Sequence, residues 1–94
     1  MRRIVWTAQA VENLDAIVSY IEAFNPAAAA RMAERLVALA DSLADFSERG
    51  RDVGGGKREM TIVPPYLLRY RVEPDRVIIL RIRHGAREPD ERDS

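Results

Sequence analysis

No cysteine occurs in the chain, so disulfide staples, thiolate zinc sites and a cysteine nucleophile are all excluded. Histidine is almost as scarce. His84 is the single one, which leaves no histidine-rich metal site, and neither a metal nor a cofactor is expected. Lys57 is the single lysine. No apolar run approaches the roughly 20 residues that span a bilayer. The opening Met1-Arg2-Arg3 is not followed by an apolar stretch of signal-peptide length. The expected location is the cytoplasm, with no membrane involvement.

What is present is the composition of a small globular domain. The 94 residues are 47% apolar and 32% charged, which is neither a disordered nor a fibrous balance. A chain of this length has room for one core. The formal net charge is zero, but it is unevenly spread. Residues 1–48 carry a balance of −3, residues 49–87 one of +6, and residues 88–94 one of −3. The basic middle segment is a local field able to meet an anionic partner. One domain is expected over residues 1–87, followed by a frayed acidic tail, 88–94.

Arg2 to Trp6 is short and rich in β-branched and aromatic residues, as a strand is. Thr7 is placed to cap a helix whose apolar stripe is Val11, Leu14, Ile17, Val18 and Ile21. Asn25-Pro26 ends that helix and opens another, with Asn as the cap and Pro in the first turn. Met32, Leu36, Leu39 and Leu43 mark the apolar stripe of the second helix. So short a connection predicts an antiparallel helix hairpin. Residues 47–57 read as a polar, flexible connection ending in Gly54-Gly55-Gly56. It is no P-loop, because Lys57 is followed by Arg58 instead of Ser or Thr. Three strands are then expected, over Arg58 to Val63, Tyr66 to Val72 and Val77 to Arg83. The fold class is therefore α+β: an N-terminal strand and a helix hairpin against a mainly antiparallel sheet.

Strand alternation sorts the later side chains. Tyr66, Leu68, Tyr70 and Val72 fall on one face of their strand, and Leu67, Arg69 and Arg71 on the other. In the last strand Ile78, Leu80 and Ile82 are expected to face the helices, with Arg81 and Arg83 opposite. The open face should thus gather Arg69, Arg71, Arg81 and Arg83. Guanidinium groups so close repel one another unless an acid or a partner intervenes. His84 ends the last strand before Gly85-Ala86. It suits hydrogen bonding at that turn, binding, or proton transfer.

Several stretches carry a family resemblance. They are Trp6-Thr7-Ala8 leading into Leu14-Asp15-Ala16-Ile17 and Tyr20-Ile21; Asn25-Pro26 with its alanines; Gly50-Arg51; Arg58-Glu59-Met60; Tyr66 to Val72; and Ile79 to Arg87. Together they cover residues 6–87, and the chain resembles the RelE/ParE toxins of bacterial type II toxin–antitoxin systems. The resemblance implies a growth inhibitor neutralised by a cognate antitoxin that wraps it with a helix and an extended segment, in a hetero-oligomer. RelE-like toxins cut mRNA on the ribosome, whereas ParE-like toxins block DNA gyrase without being nucleases. The ending His84-Gly85-Ala86-Arg87, the lack of any aromatic residue after Tyr70 and the single lysine resemble the ParE-like branch. No catalytic residue is then expected. Arg58, Arg69, Arg71, Arg81, Arg83, His84 and Arg87 are the expected contacts for gyrase or the antitoxin. If the chain were instead a ribosome-dependent mRNA endonuclease, His84, Arg81 and Arg69 would carry the chemistry. A third alternative is an inactive remnant that only binds antitoxin.

Overall fold

Thr7 and Asn25 mark where the two helices begin, and the local chemistry explains why. In a computed structural model describing residues 1–85, Thr7 Oγ1 accepts the backbone N–H of Ala10 at 3.1 Å. Asn25 Oδ1 accepts that of Ala28 at 3.0 Å, with Pro26 following in the first turn. Each cap satisfies a donor that the helix itself leaves unpaired. The elements run β1 (Arg3–Trp6), α1 (Ala8–Glu22), α2 (Pro26–Asp41), a short 3-10 turn (Ser42–Ala44), β2 (Arg51–Gly54), β3 (Lys57–Thr61), β4 (Tyr66–Val72) and β5 (Arg76–His84). Arg87 and the tail 88–94 lie outside the described residues.

The strands form one sheet in the order β1-β5-β4-β3-β2. β1 runs parallel to β5 and the other pairs are antiparallel. The helix hairpin covers one face, so the α+β expectation holds, with one strand more than expected. Residues 51–54 are that strand, within a stretch expected to be a flexible connection. The three glycines are its turn: Gly54, Gly55 and Gly56 have φ of 91°, 63° and 76°. Residues with a Cβ rarely adopt such angles, so a run of three needs glycine.

The core holds Leu36, Ala40 and Leu43 of the second helix and its 3-10 extension against Leu68, Tyr70, Val77, Ile79 and Ile82 of the sheet. In α1 Ala10 is buried, and Leu14 and Ile17 of the expected stripe pack half-buried against the core, whereas Val11, expected to start that stripe, is 42% exposed. Ala10 has no exposed surface, and so small a side chain lets α1 lie close on β5.

A bulge in β5 corrects the expected facing of its side chains. Arg81 pairs with Arg69, but the next pair is Ile79 with Tyr70, so Leu80 is an extra residue in β5. Such an insertion resets the two-residue alternation. Val77 and Ile79 therefore join Ile82 in the core, while Ile78, expected beside Ile82, falls on the open face opposite Arg71. The polar groups of the bulge meet the start of α1. Thr7 Oγ1 lies 2.9 and 3.0 Å from the carbonyls of Ile79 and Leu80, and Asn13 Oδ1 accepts the N–H of Ile82 at 3.1 Å.

Candidate functional site

The sheet face turned away from the helices is built in rows set by strand register. One row reads Val5, Ile78, Arg71 and Lys57 across β1, β5, β4 and β3. The next reads Arg81, Arg69, Glu59 and Arg51 across β5, β4, β3 and β2. A third begins with Arg83 and Leu67 and ends at Thr61. Arg69, Arg71, Arg81 and Arg83 thus share one face, as strand alternation predicts.

The acid that makes this arrangement possible is Glu59, which the sequence reading did not single out. Its side chain is 1% exposed. Arg69 Nη2 donates to Oε2 at 2.9 Å. Arg83 approaches as a fork, Nε 3.3 Å from Oε2 and Nη2 3.3 Å from Oε1. Arg51 Nη2 donates to Oε1 at 3.3 Å from the far side. One carboxylate from β3 therefore gathers guanidinium groups from β2, β4 and β5. Arg69 and Arg83 are buried with it, their side chains 7% and 6% exposed, whereas that of Arg51 is 70% exposed. Burying charges is costly unless they are paired and hydrogen-bonded, and this pairing is what allows two arginines into a nearly dry site. Beside it an open groove of about 370 Å3 is lined by Arg49, Arg51, Glu59, Met60, Thr61 and Leu67.

Arg58 is not part of this face. It pairs across the strands with Tyr70, and its Nη1 donates to the carbonyl of Gly50 at 2.7 Å. Tyr70 completes the same clamp, donating from its hydroxyl to the Ser47 carbonyl and accepting the Gly50 N–H, each at 2.8 Å. Burial pushes the Tyr70 hydroxyl pKa up, partly offset by the bond from Gly50 and by Arg58 and Arg49. A side chain at Gly50 would put its Cβ 2.8 Å from the Tyr70 hydroxyl, so this loop needs glycine for space.

His84 stands on the other side of the sheet from Arg69, Arg81 and Arg83. It is two residues beyond Ile82 on the helix-covered face. Its ring meets Tyr66 edge-on, with centroids 5.5 Å apart. Together with Asn13, Ala16, Ile17, Tyr20 and Ile82 these rings line a groove of about 260 Å3 between α1 and the sheet. The sheet itself therefore separates the imidazole from the arginine cluster. Of the expected contacts, the fold brings together Arg69, Arg71, Arg81 and Arg83, and sets Arg58 and His84 apart. No helix among the described residues is long and apolar enough to cross a membrane.

Comparison with known proteins agrees with this fold. A family model described as the ParE toxin of the type II toxin–antitoxin system parDE matches residues 4–89. The chain is 52% identical to toxin RelE2 of Caulobacter vibrioides over 93% of its own length and 99% of the relative's. It is 39% identical to the putative toxin Y4kP of Sinorhizobium fredii, over 93% and 92% of the two chains. Among solved structures, a chain of the chromosomal ParDE toxin–antitoxin system from P. aeruginosa superposes with a TM-score of 0.77 at 26% identity, over 89% of this chain and 96% of that one.

Proposed function

The chain belongs to the ParE toxin family of type II toxin–antitoxin systems, and from that premise we propose that it arrests growth by binding DNA gyrase and is held silent by a cognate antitoxin in a hetero-oligomer. The observation that supports binding over cleavage is the placement of His84. Cutting RNA through its 2′-hydroxyl needs a proton-transfer group and phosphate-stabilising cations around one phosphorus atom. Here the imidazole and the cations of Arg69, Arg81 and Arg83 lie on opposite faces of the sheet. The arginine face instead offers a broad, basic, partly apolar surface, with Val5, Ile78 and Leu67 among its cations. Such a mixture suits an acidic protein surface. Action on gyrase places the protein in the cytoplasm.

The rival reading is a ribosome-dependent mRNA endonuclease, and the gathering of Arg69, Arg81 and Arg83 is the observation in its favour. Two assays with the purified chain separate them. In a supercoiling assay with purified gyrase, the chain inhibits the reaction, and adding the product of the neighbouring antitoxin gene restores it. In a translating extract, mRNA stays intact. Cleaved mRNA together with untouched supercoiling would overturn the gyrase reading. Failure of the two gene products to co-elute at micromolar concentration would overturn the antitoxin partnership.

A further inference from the structure

Phosphate and carboxylate compete for the same feature of an arginine, the planar fork of N–H donors. At the centre of the open sheet face that competition is already decided. Both oxygens of Glu59 are engaged, Oε2 by Arg69 and Arg83, and Oε1 by Arg83 and Arg51. The carboxylate is 1% exposed, so neither water nor a passing ion displaces it readily.

We propose that Glu59 is a specificity-determining residue. By engaging both donors of the Arg83 fork and Nη2 of Arg69 it withholds these cations from nucleic-acid backbone, and it leaves the exposed Arg49 and Arg51 beside Leu67 as the contacts for the carboxylates of an acidic protein surface. The proposal rests on reading this face as the contact surface, but not on gyrase being the target.

Two features of the same face agree. First, Arg49 and Arg51 are exposed at the rim of a groove that also contains Leu67 and Thr61. A cation beside an apolar wall takes a protein side chain better than a ladder of phosphates. Second, non-specific nucleic-acid binders stack bases on aromatic rings. The aromatic residues of β4 are Tyr66 and Tyr70, and both belong to the helix-covered face.

The test compares the full-length parent with Glu59→Gln in binding to a short DNA duplex of arbitrary sequence, by fluorescence anisotropy at low and raised salt. Expected is weak binding by the parent. The folded variant should bind at least about tenfold tighter, with a steeper loss on adding salt, because the released forks take phosphates. A parent that binds duplex as tightly as the variant overturns the proposal, and so does a folded variant that gains no affinity. Thermal melting of Glu59→Ala against inorganic phosphate or acetate is the second measurement, and it decides the matter if Glu59→Gln does not fold. A saturable rise in Tm larger than the parent's supports an anion position at Glu59, and no rise beyond the parent's overturns it. Neither readout involves gyrase. Failure to inhibit supercoiling would sink the target assignment while leaving these results as they stand.

Discussion

The hydroxyl of Tyr70 sits 2.8 Å from the backbone nitrogen of Gly50, at the end of a side chain with no exposed surface. The same hydroxyl donates to Ser47, so one phenol fastens the loop between the helices and β2 to the core of the sheet. Replacing it by phenylalanine keeps the ring and strands a buried N–H and carbonyl. Leaving such groups unsatisfied costs about 1–3 kcal/mol. Tyr70→Phe is expected to lower unfolding free energy by that amount in denaturant titration. A loss below about 0.5 kcal/mol would remove this clamp from the account.

A pH dependence follows from the same burial. The Tyr70 pKa is raised in the folded state, so the folded chain holds the phenolic proton more tightly than the unfolded chain does. Stability from this group is complete below the ordinary tyrosine pKa of about 10 and is lost as pH rises through the folded value. Alkaline melting of the parent should therefore steepen above about pH 10, and Tyr70→Phe should flatten it. Parallel pH profiles for the two proteins would contradict the shift.

The arginines of the open face divide by burial into two kinds. Arg69 and Arg83 are packed with Glu59, and removing one partner of a buried pair typically costs about 3–5 kcal/mol. Arg51 is 70% exposed, and its replacement by alanine should shift stability by no more than about 0.5 kcal/mol. Arg69→Ala should thus fail mainly by unfolding. Arg51→Ala combined with Arg71→Ala should fold and lose toxicity. Circular dichroism alongside a growth assay checks both. A folded Arg51→Ala/Arg71→Ala protein as toxic as the parent would take the face out of the mechanism.

Much of this was readable in the residues, because it depends on local chemistry. Thr7 and Asn25 announce their helices, Leu36 and Leu43 their buried stripe, and Arg69 and Arg71 their shared face. What stayed hidden depends on pairing between distant segments. The extra residue Leu80 has no local signature, yet it turns Ile78 out of the core and Val77 and Ile79 into it. The signal for Glu59 was present in a general form, since clustered guanidinium groups demand an acid. Choosing Glu59 required the register that sets β3 between β2 and β4. Arg58 looked like a surface cation because its partner is a backbone carbonyl, that of Gly50, which sequence pattern does not reveal.

Action by binding and not by cleavage is the proposal on which the other readings depend, and a change at His84 separates the two. His84→Gln keeps a hydrogen-bonding side chain and removes the imidazole as a proton-transfer group. In a binder the change costs at most a neutral hydrogen bond, about 0.5–1.5 kcal/mol, or roughly a two- to thirteen-fold loss of affinity. In a nuclease it removes a proton-transfer group, roughly a hundred- to ten-thousand-fold effect. The decisive measurement is growth arrest by strongly expressed His84→Gln, with DNA-damage signalling and transcript integrity followed over time in cells expressing the parent. A gyrase binder predicts that the variant still arrests growth and that DNA damage precedes any loss of mRNA. A folded, non-toxic His84→Gln, together with early transcript cleavage by the parent, would contradict it.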